Sequence, residues 1–83
     1  MAAVLVTWHD ASSEVDGWTH IADLDRTPTA VETCGFLLTE DEGGRPGHVS
    51  IYQSRIAGTD QVDSVIHIPQ GMIQHIKVLF DAV

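Results

Sequence analysis

Residues 65–76 read VIHIPQGMIQHI, an apolar run that a proline and a glycine interrupt in the middle. Pro69 cannot donate a hydrogen bond to a neighbouring strand, and Gly71 can adopt backbone angles that are closed to other residues. The run therefore predicts two strands separated by a tight turn, of which the second, residues 72–80, leaves in a new direction. Such a corner is typical of a small barrel. The alternative is a C-terminal helix over 72–80, because the same apolar residues fit helical spacing.

Apolar and β-branched residues recur in short segments along the rest of the chain. They predict strands over 2–8, 29–39, 48–56 and 62–68, with EDEGGRPG at 40–47 as a hairpin connection. The intervening segment 9–28 fits one or two short helical turns, with Ser12 or Ser13 as an N-cap, or else an ordered loop. We expect one domain over residues 1–83, mainly β, that forms a small antiparallel barrel of about five strands with an irregular or short-helical segment after the first.

The composition limits the compartment and the partners. The net charge is -8, from 12 acidic residues against four scattered basic ones, so no positive patch is available for nucleic acid. The single cysteine, Cys34, excludes an internal disulfide, fits a reducing cytosol, and is expected to be a buried, inert thiol. No apolar run approaches the roughly 20 residues that a bilayer requires, and residues 1–7 lack the basic start of a signal peptide. We expect a soluble intracellular protein without membrane contact.

The sequence offers little sign of catalysis or metal binding. Its five histidines include no pair at a metal-binding helical spacing, and no GxSxG motif surrounds a serine. We therefore expect no enzyme, no cofactor and no metal site, with histidines that lie on the surface or are hydrogen-bonded within the core.

Two tryptophans and one arginine are the better candidates for ligand binding. Trp8 and Trp18 are expected either to cover the open end of the barrel or to stack on a flat ligand at a subunit interface. Arg55 is the cation best placed to meet a phosphate beside such a ligand. The complete candidate site comprises Trp8, His9, Trp18, Gln53, Ser54 and Arg55.

The order of these elements resembles the Sm-like barrel of Sm, LSm and Hfq proteins. Gly35, Leu37 and Asp41 stand at the offsets of that family's first motif, and PQGMIQHI is similar to the second motif, a short turn followed by aliphatic residues. The resemblance implies rings in which subunits pair their edge strands. The turn that contacts RNA in Hfq is here occupied by residues 69–71, which carry no aromatic or basic side chain, so RNA binding is not expected.

A second resemblance points to tailed bacteriophages. The segments VTWHDA, GFLL, a YQS-type strand and IPQGMI, with Trp18 between the first two, are similar to a group of small uncharacterised phage proteins with an Sm-like fold. This resemblance implies a phage-encoded protein that is located in the cytoplasm of a bacterial host.

Three functional hypotheses follow. The first is a non-enzymatic homo-oligomer that binds or sequesters a small anionic, nucleotide-like ligand at its subunit interfaces, for example to counter host defence. The second is an acidic protein-interaction module that docks on a host or virion protein. The third, disfavoured by the net charge of -8, is an RNA-binding ring.

Overall fold

The computed structural model describes residues 1–12 and 17–81, and this part of the chain is mainly β, as predicted. Short 3₁₀ turns cover Ile21–Asp23, Glu40–Glu42 and Gln70–Met72. The strands, in chain order, are β1 (Ala2–Asp10), β2 (Thr29–Leu38), β3 (His48–Tyr52), β4 (Ser54–Arg55), β5 (Val62–Asp63), β6 (Ile66–Pro69) and β7 (Ile73–Asp81).

Five of these strands form one antiparallel sheet in the order β6-β3-β2-β1-β7, while β4 and β5 pair separately as a short hairpin. The predicted antiparallel organisation and strand number of the sheet are confirmed. The predicted closure into a barrel is not observed, because β6 and β7 are the two edges and do not pair with each other in the described part of the chain. One reason is that β6 has only four residues and offers a short edge.

The break at residues 69–71 is confirmed. β6 ends at Pro69, one 3₁₀ turn follows, and β7 then runs antiparallel to β1 with two register irregularities. The alternative of a C-terminal helix over 72–80 is wrong. The N–H of Gln70 donates to the carbonyl of Gly47 at 3.0 Å, which holds this corner against the loop before β3.

Two strands that were predicted to be continuous are each divided. Residues 48–56 separate into β3 and β4, and residues 62–68 separate into β5 and β6. Ser64 lies at the second division with a positive φ of 56°, a backbone region that L-residues rarely adopt. The division lets β4 and β5 leave the sheet as a hairpin of their own.

Three smaller expectations are also resolved. The connection 40–47 contains a 3₁₀ turn, and the segment 9–28 contains one at Ile21–Asp23. The residue at the N-cap of the latter turn is His20 rather than Ser12, and Ser13 lies outside the described residues. Cys34 is exposed, so the prediction of a buried thiol is wrong. Its position in β2 places it opposite Leu5, on the face of the sheet away from the main core.

The core lies on the other face of the sheet and is small. Its four fully buried members are Val4, Val6, Ile51 and Ile68, with further apolar residues half-buried around them. The radius of gyration is 16.3 Å, whereas a compact chain of this length is expected at about 12 Å. The chain is therefore elongated, 54 × 22 × 20 Å, and leaves many apolar side chains in contact with solvent.

Candidate functional site

Trp8 and His9 lie at the far end of β1. Trp8 stands opposite Val31 of β2 and Ile73 of β7, packs half-buried against the core, and donates its Nε1–H to Thr33 Oγ1 at 2.9 Å. Its indole nitrogen is thus already satisfied within the chain. The neighbouring His9 points to the opposite face, because side chains alternate along a strand.

Trp18 lies in the segment that leads from β1 to the first 3₁₀ turn. Its side chain is fully exposed, at 107% of the reference area, so it does not cover an end of the sheet. Exposure leaves both faces of the indole ring open to a ligand or a partner surface.

Gln53, Ser54 and Arg55 follow β3 directly. Gln53 donates its side-chain N–H to the carbonyl of Cys34, and Ser54 pairs with Asp63 in the hairpin. Arg55 is the most engaged of the three. Its Nε donates to the carbonyl of Thr59 at 2.6 Å, and its terminal nitrogen forms an ion pair with Asp60 at 3.1 Å.

The structure does not bring Trp8 and His9, the half of the predicted site on β1, together with the other half, residues 53–55, within one chain. The side chain of Gln53 reaches Cys34, which faces Leu5, whereas Trp8 lies three residues further along β1. Three residues correspond to roughly 10 Å along a strand, and β3 and β1 are separated by β2. A ligand that contacts both halves would need residues from two subunits.

Two cavities flank the β4–β5 hairpin, and Arg55 lines both. One, of about 410 Å³, is lined by the predicted site residues Ser54 and Arg55 together with Ile56, Gln61, Val62 and Asp63. The other, of about 370 Å³, lies between the hairpin and the 3₁₀ turn Glu40–Glu42; its lining comprises Leu38, Asp41, Glu42, Tyr52, Arg55, Asp60 and Val62. Of the residues that line this acidic cavity, the sequence predicted only Arg55 as a ligand contact.

Glu42, in the wall of the acidic cavity, is held by Thr39. Both the backbone N–H and the hydroxyl of Thr39 donate to Glu42 Oε1, at 3.1 and 2.9 Å. These hydrogen bonds lower the pKa of Glu42 below its ordinary value of 4.5, so the carboxylate is ionised at neutral pH. The sequence TEDE carried a usable signal, because a threonine followed three residues later by a glutamate is the pattern of a capping box.

A serine and a histidine meet on the same face of the sheet as Tyr52. Ser50 Oγ lies 2.6 Å from His67 Nδ1 and accepts the backbone N–H of Arg45 at 3.0 Å. Ser50 is buried, at 1% exposure, so a substrate cannot reach its hydroxyl and the pair holds the loop onto the sheet. Within residues 1–12 and 17–81, no three histidine, cysteine or carboxylate side chains converge in an arrangement that could hold a metal ion.

Comparisons with protein-family models, with curated proteins and with solved structures return no match to this chain. In the described ranges, none of the helices has the length and apolarity needed to cross a membrane.

Proposed function

We propose that this chain is a non-enzymatic binding protein that works as a homo-oligomer, in which neighbouring copies join along the outer edge of β7. One observation carries the proposal. β7 is a nine-residue edge strand whose apolar side chains are largely exposed, with values of 41% for Ile76, 60% for Val78, 49% for Leu79 and 61% for Phe80.

A long apolar edge strand is a template for pairing with another chain, and proteins normally shorten, charge or cover such edges. Here Lys77 is the one lysine or arginine between Ile73 and Asp81. Covering the exposed parts of the four apolar side chains would contribute on the order of 3–6 kcal/mol, in addition to the hydrogen bonds of the edge. A second copy is the occupant we favour, because a core of four residues leaves a small domain in need of this supplement.

The oligomer is tested by light scattering coupled to size-exclusion chromatography. The unmodified protein should elute as a closed oligomer at tens of micromolar. Val78→Lys should shift it toward the monomer, because the substitution places a charge on the proposed interface. Ile21→Lys is the matched control, since Ile21 is exposed but lies outside β7, and it should leave the oligomer intact. If the unmodified protein elutes as a monomer, the proposed oligomer is wrong.

The proposed ligand is a small anionic, nucleotide-like molecule held at the boundary between two subunits. Trp8 and His9 support this placement because Trp8 faces Ile73, the first residue of the proposed interface strand. Gln53, Ser54 and Arg55 directly follow β3, which lies next to the opposite edge strand β6, so they would come from a neighbouring copy whose β6 edge meets this β7 edge. For a phage-encoded protein, as the resemblance implies, sequestering a nucleotide signal would serve to counter host defence.

Two measurements test the ligand. Native mass spectrometry of gently purified protein should find an added mass of a few hundred daltons per interface. Melting curves recorded with cyclic dinucleotides and ADP-ribose derivatives should then show stabilisation by at least one compound, which Trp8→Ala should reduce. The absence of both the added mass and any thermal shift would argue against an anionic ligand.

A second candidate function is docking on a protein partner through the acidic surface. The net charge of -8 and the acidic cavity beside the hairpin favour it. Pull-down from a host lysate should return a partner that is released by salt, because complementary charges are screened at high ionic strength. A capture that is insensitive to salt would contradict this candidate.

A further inference from the structure

The acidic cavity beside the β4–β5 hairpin has an excess of negative charge. Three of its lining side chains are carboxylates, Asp41, Glu42 and Asp60, and a single guanidinium, that of Arg55, faces them. Arg55 is already paired with Asp60. An anion entering this cavity would meet uncompensated carboxylates, whereas a cation would complete the charge balance.

A buried polar group also opens into this cavity. Tyr52 is 2% exposed and packs its ring against Phe36, with ring centroids 5.4 Å apart. Its hydroxyl has no hydrogen-bond partner among the described residues. Every fully buried side-chain oxygen in that part of the chain has a hydrogen-bond partner, so the unpartnered hydroxyl of Tyr52 must be accessible to solvent. Tyr52 lines the acidic cavity, which is therefore the space that its hydroxyl reaches. A hydroxyl in this position is available to a ligand.

The three carboxylates of the acidic cavity differ in how many of their oxygens already accept hydrogen bonds. Glu42 Oε1 accepts both donors of Thr39, and Asp60 Oδ1 accepts Arg55. Asp41 makes no hydrogen bond or ion pair with any described residue. The cavity therefore offers the carboxylate of Asp41, in the 3₁₀ turn Glu40–Glu42, and the hydroxyl of Tyr52, in β3, as acceptors from two different elements.

We propose that this cavity binds a guanidinium group carried on a short apolar stem, such as the side chain of arginine. A guanidinium has five N–H donors in a planar fork, which suits carboxylate acceptors, and it is more weakly hydrated than an ammonium. Leu38 and Val62 provide apolar contact for the stem. The volume of about 370 Å³ lies within the range of small-molecule sites. The proposal is independent of the subunit interface along β7.

The test is a titration followed by NMR and calorimetry at low salt, with arginine amide as the probe and citrulline amide as its uncharged isostere. Arginine amide should bind and perturb the amide signals of Leu38 and Val62, and citrulline amide should bind at least tenfold more weakly. Equal binding of the two probes, or shifts elsewhere in the chain, would overturn the proposal.

Two substitutions separate a defined site from attraction by the overall charge. Asp41→Asn should weaken the binding of arginine amide about fivefold, and Tyr52→Phe about threefold. Asp23→Asn is the matched control, because it removes the same charge from an exposed residue of another 3₁₀ turn, and it should have no effect. Equal losses in Asp41→Asn and Asp23→Asn would show that the cavity is not the site. Circular dichroism checks that each variant is folded.

The same guanidinium could come from a free metabolite or from a protein. A blocked tripeptide with a central arginine distinguishes the sources. Binding at least fivefold tighter than that of arginine amide assigns the cavity to an arginine of a protein partner, and equal binding assigns it to a small molecule. Failure of both probes to bind refutes the inference and leaves the oligomer along β7 untouched.

Discussion

Gly35 allows the close approach of β2 and β3, and replacing it with alanine should destabilise the fold. A Cβ atom at this position would lie 2.7 Å from the carbonyl oxygen of Tyr52 and 3.1 Å from Gln53 Nε2. The side chain of Gln53 can turn away at low cost, but the carbonyl of Tyr52 belongs to β3 and cannot move alone. The strands must therefore separate by several tenths of an ångström.

The size of the effect follows from two opposing contributions. Overpacking of this kind costs typically 1–3 kcal/mol. Alanine reduces the entropy of the unfolded chain relative to glycine, which recovers about 0.4–1 kcal/mol. We expect Gly35→Ala to lower the free energy of unfolding by about 1–2 kcal/mol, or roughly 4–16 °C in Tm for a domain of this size.

Urea denaturation followed by tryptophan fluorescence measures this difference, at one fixed protein concentration so that any self-association is held constant. Gly71→Ala is the matched control. A Cβ at Gly71 would meet no atom within 4 Å, so this variant should be as stable as the unmodified protein or slightly more stable. If Gly35→Ala proves as stable as Gly71→Ala, the close contact of β2 with Tyr52 is not a constraint on the fold.

Three further predictions concern single side chains. Ser50→Ala should lower the free energy of unfolding by about 1–3 kcal/mol in urea denaturation, because it leaves Arg45 N–H and His67 Nδ1 without their partner. Ser54→Ala, at an exposed position, is the control and should lower it by less than about 0.5 kcal/mol. In an NMR titration the Glu42 carboxyl should titrate below pH 4.5, and Thr39→Val should move the midpoint back upward because it removes the hydroxyl donor. Since the pKa of Glu42 is lowered on folding, its contribution to stability is present above pH 4.5 and is lost as the pH falls through the folded pKa. The exposed thiol of Cys34 should react with Ellman's reagent in native buffer as completely as in denaturant, and protection would mean that this face is covered.

The features that the sequence predicted well are those decided by neighbouring residues. The break between β6 and β7 follows from Pro69, at which β6 ends, whereas Gly71 does not have the positive φ for which a glycine would be needed. Strand β1 follows from its run of β-branched and apolar residues. These signals come from neighbouring residues, so they predict local structure without knowledge of the tertiary contacts.

The features that were missed depend on residues distant in sequence. Alternation along β2 places Cys34 on one face, but only the tertiary structure decides that this face stays open there. The turn at 57–61 was expected from AGTDQ, but the separation of β4 and β5 from the main sheet was missed, because no glycine or proline in 48–56 marks the break at Gln53. Arg55 was expected to meet a phosphate, and its pairing with Asp60, five residues away, follows from that same turn.

The dependence on salt separates the two kinds of binding that this chain is proposed to perform. Association of copies that each carry a charge of -8 is opposed by electrostatic repulsion, so raising the ionic strength should strengthen the oligomer along β7. Binding of a guanidinium in the acidic cavity gains from opposite charges, so the same change should weaken it. Light scattering and calorimetry between 50 and 500 mM salt should therefore give trends of opposite sign. Trends of the same sign would mean that one of the two contacts is not governed by the charges assigned to it.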